Sequence, residues 1–224
     1  LSRTRQITFS ADDFGLTKSV NEAIELAHTK GRLTQASLMV AAPEAADAIA
    51  RAHRLPTLNT GLHLVLVDGD SLLGHAKLPT ITTPEGKFSR NQIALGIRYF
   101  FSPAARQELT AEIRAQFAAY AATGLNLHHA DAHKHMHLHP IVGAMMISIG
   151  KEFGLQRIRV PAEPPKILQA CGAKITFSDH VLYAWTRLLR AQANRAGLAT
   201  TDQVFGIKWS GHMTAAVVAA LMQN

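Results

Sequence analysis

The chain has 224 residues, of which 47% are hydrophobic and 17% charged, and carries a net charge of +7. That is enough apolar material for one sizeable core and too little charge for a disordered chain, so a single domain over residues 1–224 is expected. The one cysteine, Cys171, excludes an intrachain disulfide and fits a reducing compartment. No run is apolar enough to span a bilayer, and Leu1-Ser2-Arg3-Thr4-Arg5 leads into a strand-like run without a signal peptide, so the expected location is cytoplasmic. The positive charge is uneven. Residues 151–197 hold eight bases against three acids, whereas the rest hold fifteen against thirteen. Such a patch attracts nucleic acid, an anionic membrane or an anionic substrate, and alone selects none of them.

Strands alternate with helices along the chain. Residues 6–10 are a short β-rich run ending in Ala11-Asp12-Asp13-Phe14-Gly15. Ser19 is placed as an N-cap with Glu22 completing a capping box, and Val20, Ala23, Ile24 and Ala27 share one helical stripe before Gly31 stops it. Residues 33–40 read as a second strand, and Pro43 opens a helix to about Leu55. A third strand, residues 60–67, contains His63, and residues 68–90 lack any period and read as a long loop, functional or mobile. Helices are expected near residues 91–101 and over 103–122, where Leu109, Ile113, Phe117 and Tyr120 keep helical spacing. Residues 125–130 read as a strand, followed by a histidine-rich segment and an apolar helix near 140–150. Residues 157–160 and 203–207 are further strand candidates around a helix near 181–196, and an apolar helix near 214–222 comes last. This alternation predicts an α/β fold with a parallel sheet, either a closed barrel or an open doubly wound sheet. In both, catalytic groups gather at the carboxyl ends of the strands.

The chemistry-bearing residues sit where that rule puts them. Asp12 and Asp13 follow the first strand. Adjacent acids there can simply cap a turn, or one can bind a metal while the other serves as general base on water. His63 lies in the apolar run Gly61-Leu62-His63-Leu64-Val65-Leu66, where a lone histidine is often only a core residue. The strongest local signal is Asp131-Ala132-His133-Lys134-His135-Met136-His137-Leu138-His139-Pro140. Its four histidines alternate over seven residues, so an extended chain would place them on one face. Imidazole is a common zinc ligand, and Asp13, His63 and one of this group would make a three-ligand site with room for water. Structural zinc sites are closed and rich in cysteine, which this chain lacks.

With these segments in view the sequence resembles the YdjC-like carbohydrate deacetylases, and within them the hopanoid-biosynthesis-associated HpnK branch. The resemblance is carried by Ala11-Asp12-Asp13-Phe14-Gly15-Leu16, Val20-Asn21-Glu22-Ala23, Ala36-Ser37-Leu38-Met39-Val40-Ala41-Ala42-Pro43, Gly61-Leu62-His63-Leu64-Val65-Leu66-Val67, the histidine segment, and Val204-Phe205-Gly206-Ile207 with Trp209-Ser210-Gly211. It implies a distorted TIM-like (β/α) barrel, one divalent ion, magnesium or zinc, and hydrolysis of an acetamido group to an amine and acetate. It also implies Asp13, His63 and His133 as metal ligands and Asp12 as the base, the roles of the two acids being exchangeable at this stage. His135 and His137 are candidates for a supporting role. The implied substrate is an N-acetylglucosaminyl group on a hopanoid lipid, or in other branches a chitooligosaccharide. Relatives usually end in a strand with a Glu-Ile…His-Pro segment whose histidine serves as general acid. The sequence runs to Leu221-Met222-Gln223-Asn224 without one, so the expectation is a barrel with a gap beside its first strand.

Competing readings are a non-catalytic histidine-rich metal-binding protein, a hydrolase of other small N-acyl compounds, and a nucleic-acid-binding module. The last is motivated by a sequence pI near 9.9 but has no binding motif to support it, so no nucleic-acid partner is expected. Residues 181–196 also form a basic amphipathic pattern, with Leu182, Trp185, Leu188 and Leu189 toward one side and Arg187 and Arg190 near the other. Such a helix either docks on the barrel or rests peripherally on an anionic inner-membrane face. Self-association stays open.

Overall fold

The computed structural model describes residues 6–224. Its elements alternate in chain order: β1 (Phe9–Phe14), α1 (Lys18–Thr29), β2 (Leu33–Leu38), α2 (Ala45–Arg54), β3 (Asn59–Leu64), α3 (Gln92–Phe101), α4 (Pro103–Ala122), β4 (Ala130–Ala132), a 3₁₀ segment (His133–Leu138), α5 (Pro140–Glu152), β5 (Arg157–Ile158), α6 (Pro165–Ala170), α7 (Phe177–Arg195), β6 (Ala199–Thr200) and α8 (Ala215–Gln223). The strands pair in parallel in the order β1-β2-β3-β4-β5-β6. Every crossover therefore steps the same way, as in a (β/α) barrel, with none of the reversal that marks a doubly wound sheet. Among the described residues β6 does not pair with β1, so the sheet is an open arc of a TIM-like barrel.

Apolar strand residues form the centre of the core: Ala36, Leu38, Leu62, Leu64, Ala130, Ala132 and Ile158 are all buried. Helix α4 packs the face its spacing predicts, with Leu109, Ile113, Phe117 and Tyr120 buried. The same face buries two polar residues. Glu112 accepts from the backbone N–H groups of Leu72 and Leu73, and Gln116 bonds both N–H and C=O of Val65. Glu108, one turn earlier, holds the N–H groups of Thr80 and Ile81. The loop over residues 68–90 is thus a chain segment whose backbone groups are satisfied by carboxylates of α4, since an irregular segment lying on a core must find such partners. No helix among the described residues is long and apolar enough to cross a membrane.

Several boundaries differ from the sequence reading. β1 runs to Phe14, so Asp12 and Asp13 lie within the strand rather than after it. Thr17, not Ser19, caps α1, accepting from the Val20 N–H at 3.2 Å, because the helix begins at Lys18. β4 forms at Ala130–Ala132 rather than over residues 125–130. The last strand is Ala199–Thr200, which pairs with β5. Residues 203–207 form none: the N–H groups of Gly206, Ile207 and Lys208 point instead to the buried carboxylate of Glu163. The short helix α6 carried no period long enough to be read.

Candidate metal centre

The site begins with an irregularity in β1. Ala11 faces Ala36 and Phe14 faces Leu38, so three steps along β1 match two along β2. The extra residue is a bulge, and Asp13 within it takes a left-handed backbone with φ of 61°. Aspartate tolerates that conformation better than most residues, and bulges commonly re-aim side chains beside active sites. The two neighbouring carboxylates accordingly take different partners.

Asp13 meets two histidines. Its Oδ1 lies 3.0 Å from His133 Nδ1 and 3.2 Å from His63 Nε2. His63 is the penultimate residue of β3 and His133 follows β4, so three strand ends converge. One ligand atom from each of Asp13, His63 and His133 falls within 4.8 Å of the others. His63 is fully enclosed, and its Nε2 has no well-aligned hydrogen-bond partner. A buried ring nitrogen left this way beside a carboxylate and a second imidazole fits a divalent cation, which one carboxylate and two imidazoles can hold while leaving positions for water and substrate.

Behind these groups lies a buried charge network. His63 Nδ1 is 2.6 Å from Asp131 Oδ1. The other oxygen of Asp131 takes the Arg159 guanidinium at 2.6 Å and the Ser37 hydroxyl at 2.7 Å. Arg159, at the end of β5, also grips Asp12 through both carboxylate oxygens, at 2.6 and 2.7 Å. Burial alone would lift the Asp131 carboxyl, but the charges of Arg159 and His63 hold it well below the usual carboxylate range. Burial likewise opposes protonation of His63, yet the charge of Asp131 and the contacts to Asp13 and Asp131 push it up to about 10. Asp13 sits below the ordinary range because His133 and His63 outweigh its desolvation.

The histidine tract is not extended. Lys134 and His135 are left-handed, with φ of 50° and 55°, and the segment turns as a 3₁₀ coil. Its histidines therefore disperse instead of sharing a face. His133 enters the centre, whereas His137 points inward and bonds the Arg159 carbonyl at 2.9 Å through Nε2, its pKa pushed down to about 3 by burial. His139 packs edge-on against Tyr99, Phe100 and Trp185. His135, held by burial at about 4, borders an open groove of about 810 Å³. Ile93, Ile97, Phe100, Phe101, Leu182 and Trp185 from α3 and α7 line one part of it, and Gln92, Lys134 and Ser210 are among its polar lining. Asp131, Arg159, Ser37 and His129 escaped the sequence reading. Asp131 opens the histidine segment and Arg159 stands at a strand end, but their pairing spans chain separations that no local pattern records.

Comparison with known proteins agrees with this architecture. The chain is 36% identical over 160 residues to a carbohydrate deacetylase of Brevibacillus brevis, covering 71% of this chain and 59% of that protein. It is 33% identical over 183 residues to a carbohydrate deacetylase of Vibrio vulnificus, covering 78% and 66% respectively. The chain thus spans three-fifths to two-thirds of the length of these curated relatives. A crystal structure of an Enterococcus faecalis protein, proposed to cleave cellobiose phosphate, shares the fold with a TM-score of 0.73 at 20% identity, covering 96% of this chain and 74% of its own. The family model described as YdjC-like protein matches residues 6–224, and the chain belongs to that family.

Proposed function

We propose that this chain is a metal-dependent hydrolase that removes the acetyl group from an N-acetylated amino sugar, and that this sugar is an N-acetylglucosaminyl group carried on a hopanoid lipid. The observation that carries the reading is the convergence of Asp13, His63 and His133 within 4.8 Å, with the carboxylate of Asp12, paired to Arg159, next in the chain. In this reading Asp13, His63 and His133 hold the ion, and two imidazoles in the donor set favour zinc over magnesium, which prefers oxygen. A bound divalent cation supplies a lowered pKa for water and a positive charge that polarises the acetyl carbonyl. Asp12, about one-third exposed and oriented by the two Arg159 contacts, is the base that takes a proton from the attacking water. The water oxygen bonds to the acetyl carbon, the carbon–nitrogen bond breaks, and the proton returned to nitrogen balances the release of amine and acetate.

The groove beside His135 is apolar along Ile93, Ile97, Phe101 and Trp185, with Gln92, Lys134 and Ser210 also in its lining, and this mainly apolar surface supports a lipid aglycone over a second sugar. The test is acetate release from N-acetylglucosaminyl hopanoid and from chitobiose by zinc-loaded protein, before and after chelation. Release that depends on metal and favours the lipid supports the proposal; release that survives complete chelation overturns it.

A further inference from the structure

Asp131 is fully buried and ion-paired with Arg159, so its carboxylate is ionised and can only accept hydrogen bonds. The Ser37 hydroxyl, 2.7 Å from Asp131 Oδ2, therefore points its single proton there. Ser37 Oγ is left as an acceptor, and His129 Nε2, at 3.0 Å, is the group that donates to it. Burial pushes the His129 pKa down to about 4, so the ring is neutral and its Nδ1 bears only a lone pair. That lone pair faces His128 Nδ1 at 3.2 Å, which must carry a proton. Toward the metal centre the direction is equally determined. Asp131 Oδ1 accepts from His63 Nδ1 at 2.6 Å, which leaves the lone pair of a neutral His63 on Nε2, the atom beside Asp13.

A second observation shows that the chain makes room for this arrangement. Gly61, two residues before His63 in β3, packs against the His129 ring: a Cβ there would stand 2.6 Å from both Cε1 and Nδ1. The His129 carbonyl also accepts the Leu62 N–H at 3.0 Å, so the ring and the strand that bears His63 are registered together.

We infer that Ser37 and His129 are positioning residues which, through Asp131, hold His63 by its Nδ1 proton, so that Nε2 is the atom presented to a divalent cation. The inference rests on the reading of His63 as a metal ligand. Partners behind a ligating histidine typically govern metal affinity by about 10–100-fold. Ser37 and Arg159 share the same carboxylate oxygen, so the loss of Ser37 falls at the lower end of that range.

The test is zinc affinity, measured by competition with a chromophoric chelator, on the wild type and on His63→Ala, Ser37→Ala, His129→Leu and His129→Gln, alongside the melting temperature of each metal-free protein. Leucine keeps the approximate volume of the ring without a donor, whereas the glutamine amide can reach Ser37 where Nε2 does. Ser37→Ala and His129→Leu are expected to weaken zinc binding by about tenfold, and His129→Gln to return within about threefold of the wild type. The His63 Nδ1 proton, followed by ¹⁵N-edited NMR of the zinc-loaded protein, should exchange with solvent faster in the two weakened variants. A merely structural role would lower melting temperatures while leaving zinc affinity and this resonance in place. Equal losses in His129→Leu and His129→Gln, or wild-type affinity in Ser37→Ala, overturn the inference. Undiminished zinc binding by His63→Ala instead overturns the ligand assignment on which it rests.

Discussion

Removing Arg159 should destabilise the fold by an amount that its contacts allow to be estimated. In Arg159→Met the stem of the side chain remains, but two carboxylates lose their cation. They do not lose equally. Asp12 is about one-third exposed and can rehydrate, so its share is small. Asp131 is fully buried and keeps only His63 and Ser37. Stripping one partner from a buried pair costs about 3–5 kcal/mol, and nearly all of it should arise at Asp131. For a chain of this size each kcal/mol moves the melting temperature by about 2–4 °C, which predicts a fall of roughly 6–20 °C. Thermal denaturation followed by circular dichroism measures it. The same substitution in an Asp131→Asn background should cost much less, because an amide needs no counter-charge, and this coupling separates the ion pair from lost packing. A melting temperature within 2 °C of the wild type, or an equal loss in both backgrounds, would refute the view that Asp131 is an ionised group held in place by Arg159.

Asp12→Asn should retain zinc but lose most acetate release, while Asp13→Asn loses both; metal analysis with an acetate assay distinguishes them, and the reverse pattern would exchange their roles. Metal binding should weaken as the pH falls. His63 in the metal-free protein stays protonated up to about pH 10, so an incoming cation displaces that proton, and affinity should drop about tenfold per unit from pH 9 to pH 7; calorimetry in buffers of different ionisation enthalpy counts the proton, and a flat profile would exclude the displacement. Without metal, the raised His63 pKa contributes stability that is complete below about pH 6.5, its unfolded value, and disappears as the pH rises through about 10. Trp185→Arg in the groove wall should raise KM for a lipid-linked N-acetylated sugar at least tenfold while leaving cleavage of a short soluble oligosaccharide within about twofold; equal effects on both would remove the groove from substrate binding.

Much of this arrangement is legible in one sequence because it follows local periods. The spacing of Leu109, Ile113, Phe117 and Tyr120 locates α4 residue for residue. The apolar runs around Ser37 and His63 locate β2 and β3, and strand ends announce where Asp13 and His63 emerge. What failed has a common cause. Alternation of His133, His135, His137 and His139 has the period of a strand, but two left-handed residues turn the segment, and period alone cannot register φ. The apolar residues over 203–207 read as a strand, yet their N–H groups are claimed by Glu163 some forty positions earlier. Arg159 looks like one more base in a positive region until its partners Asp12 and Asp131 are known. Patterns report which face of an element is apolar. They do not report which distant charge a buried polar group has found.

The bulge in β1 also governs how this chain can be altered. Because Asp12 and Asp13 take separate partners through one surplus residue, their spacing to Ala11 and Phe14 matters as much as their identity. Deleting a single residue between Ala11 and Phe14 would restore regular pairing and leave one carboxylate in place of two. Inserting one would rotate the strand end and present the wrong side chain to His63. Homologous replacement or loop grafting in this family should therefore cut after Phe14, where β1 and β2 are back in register.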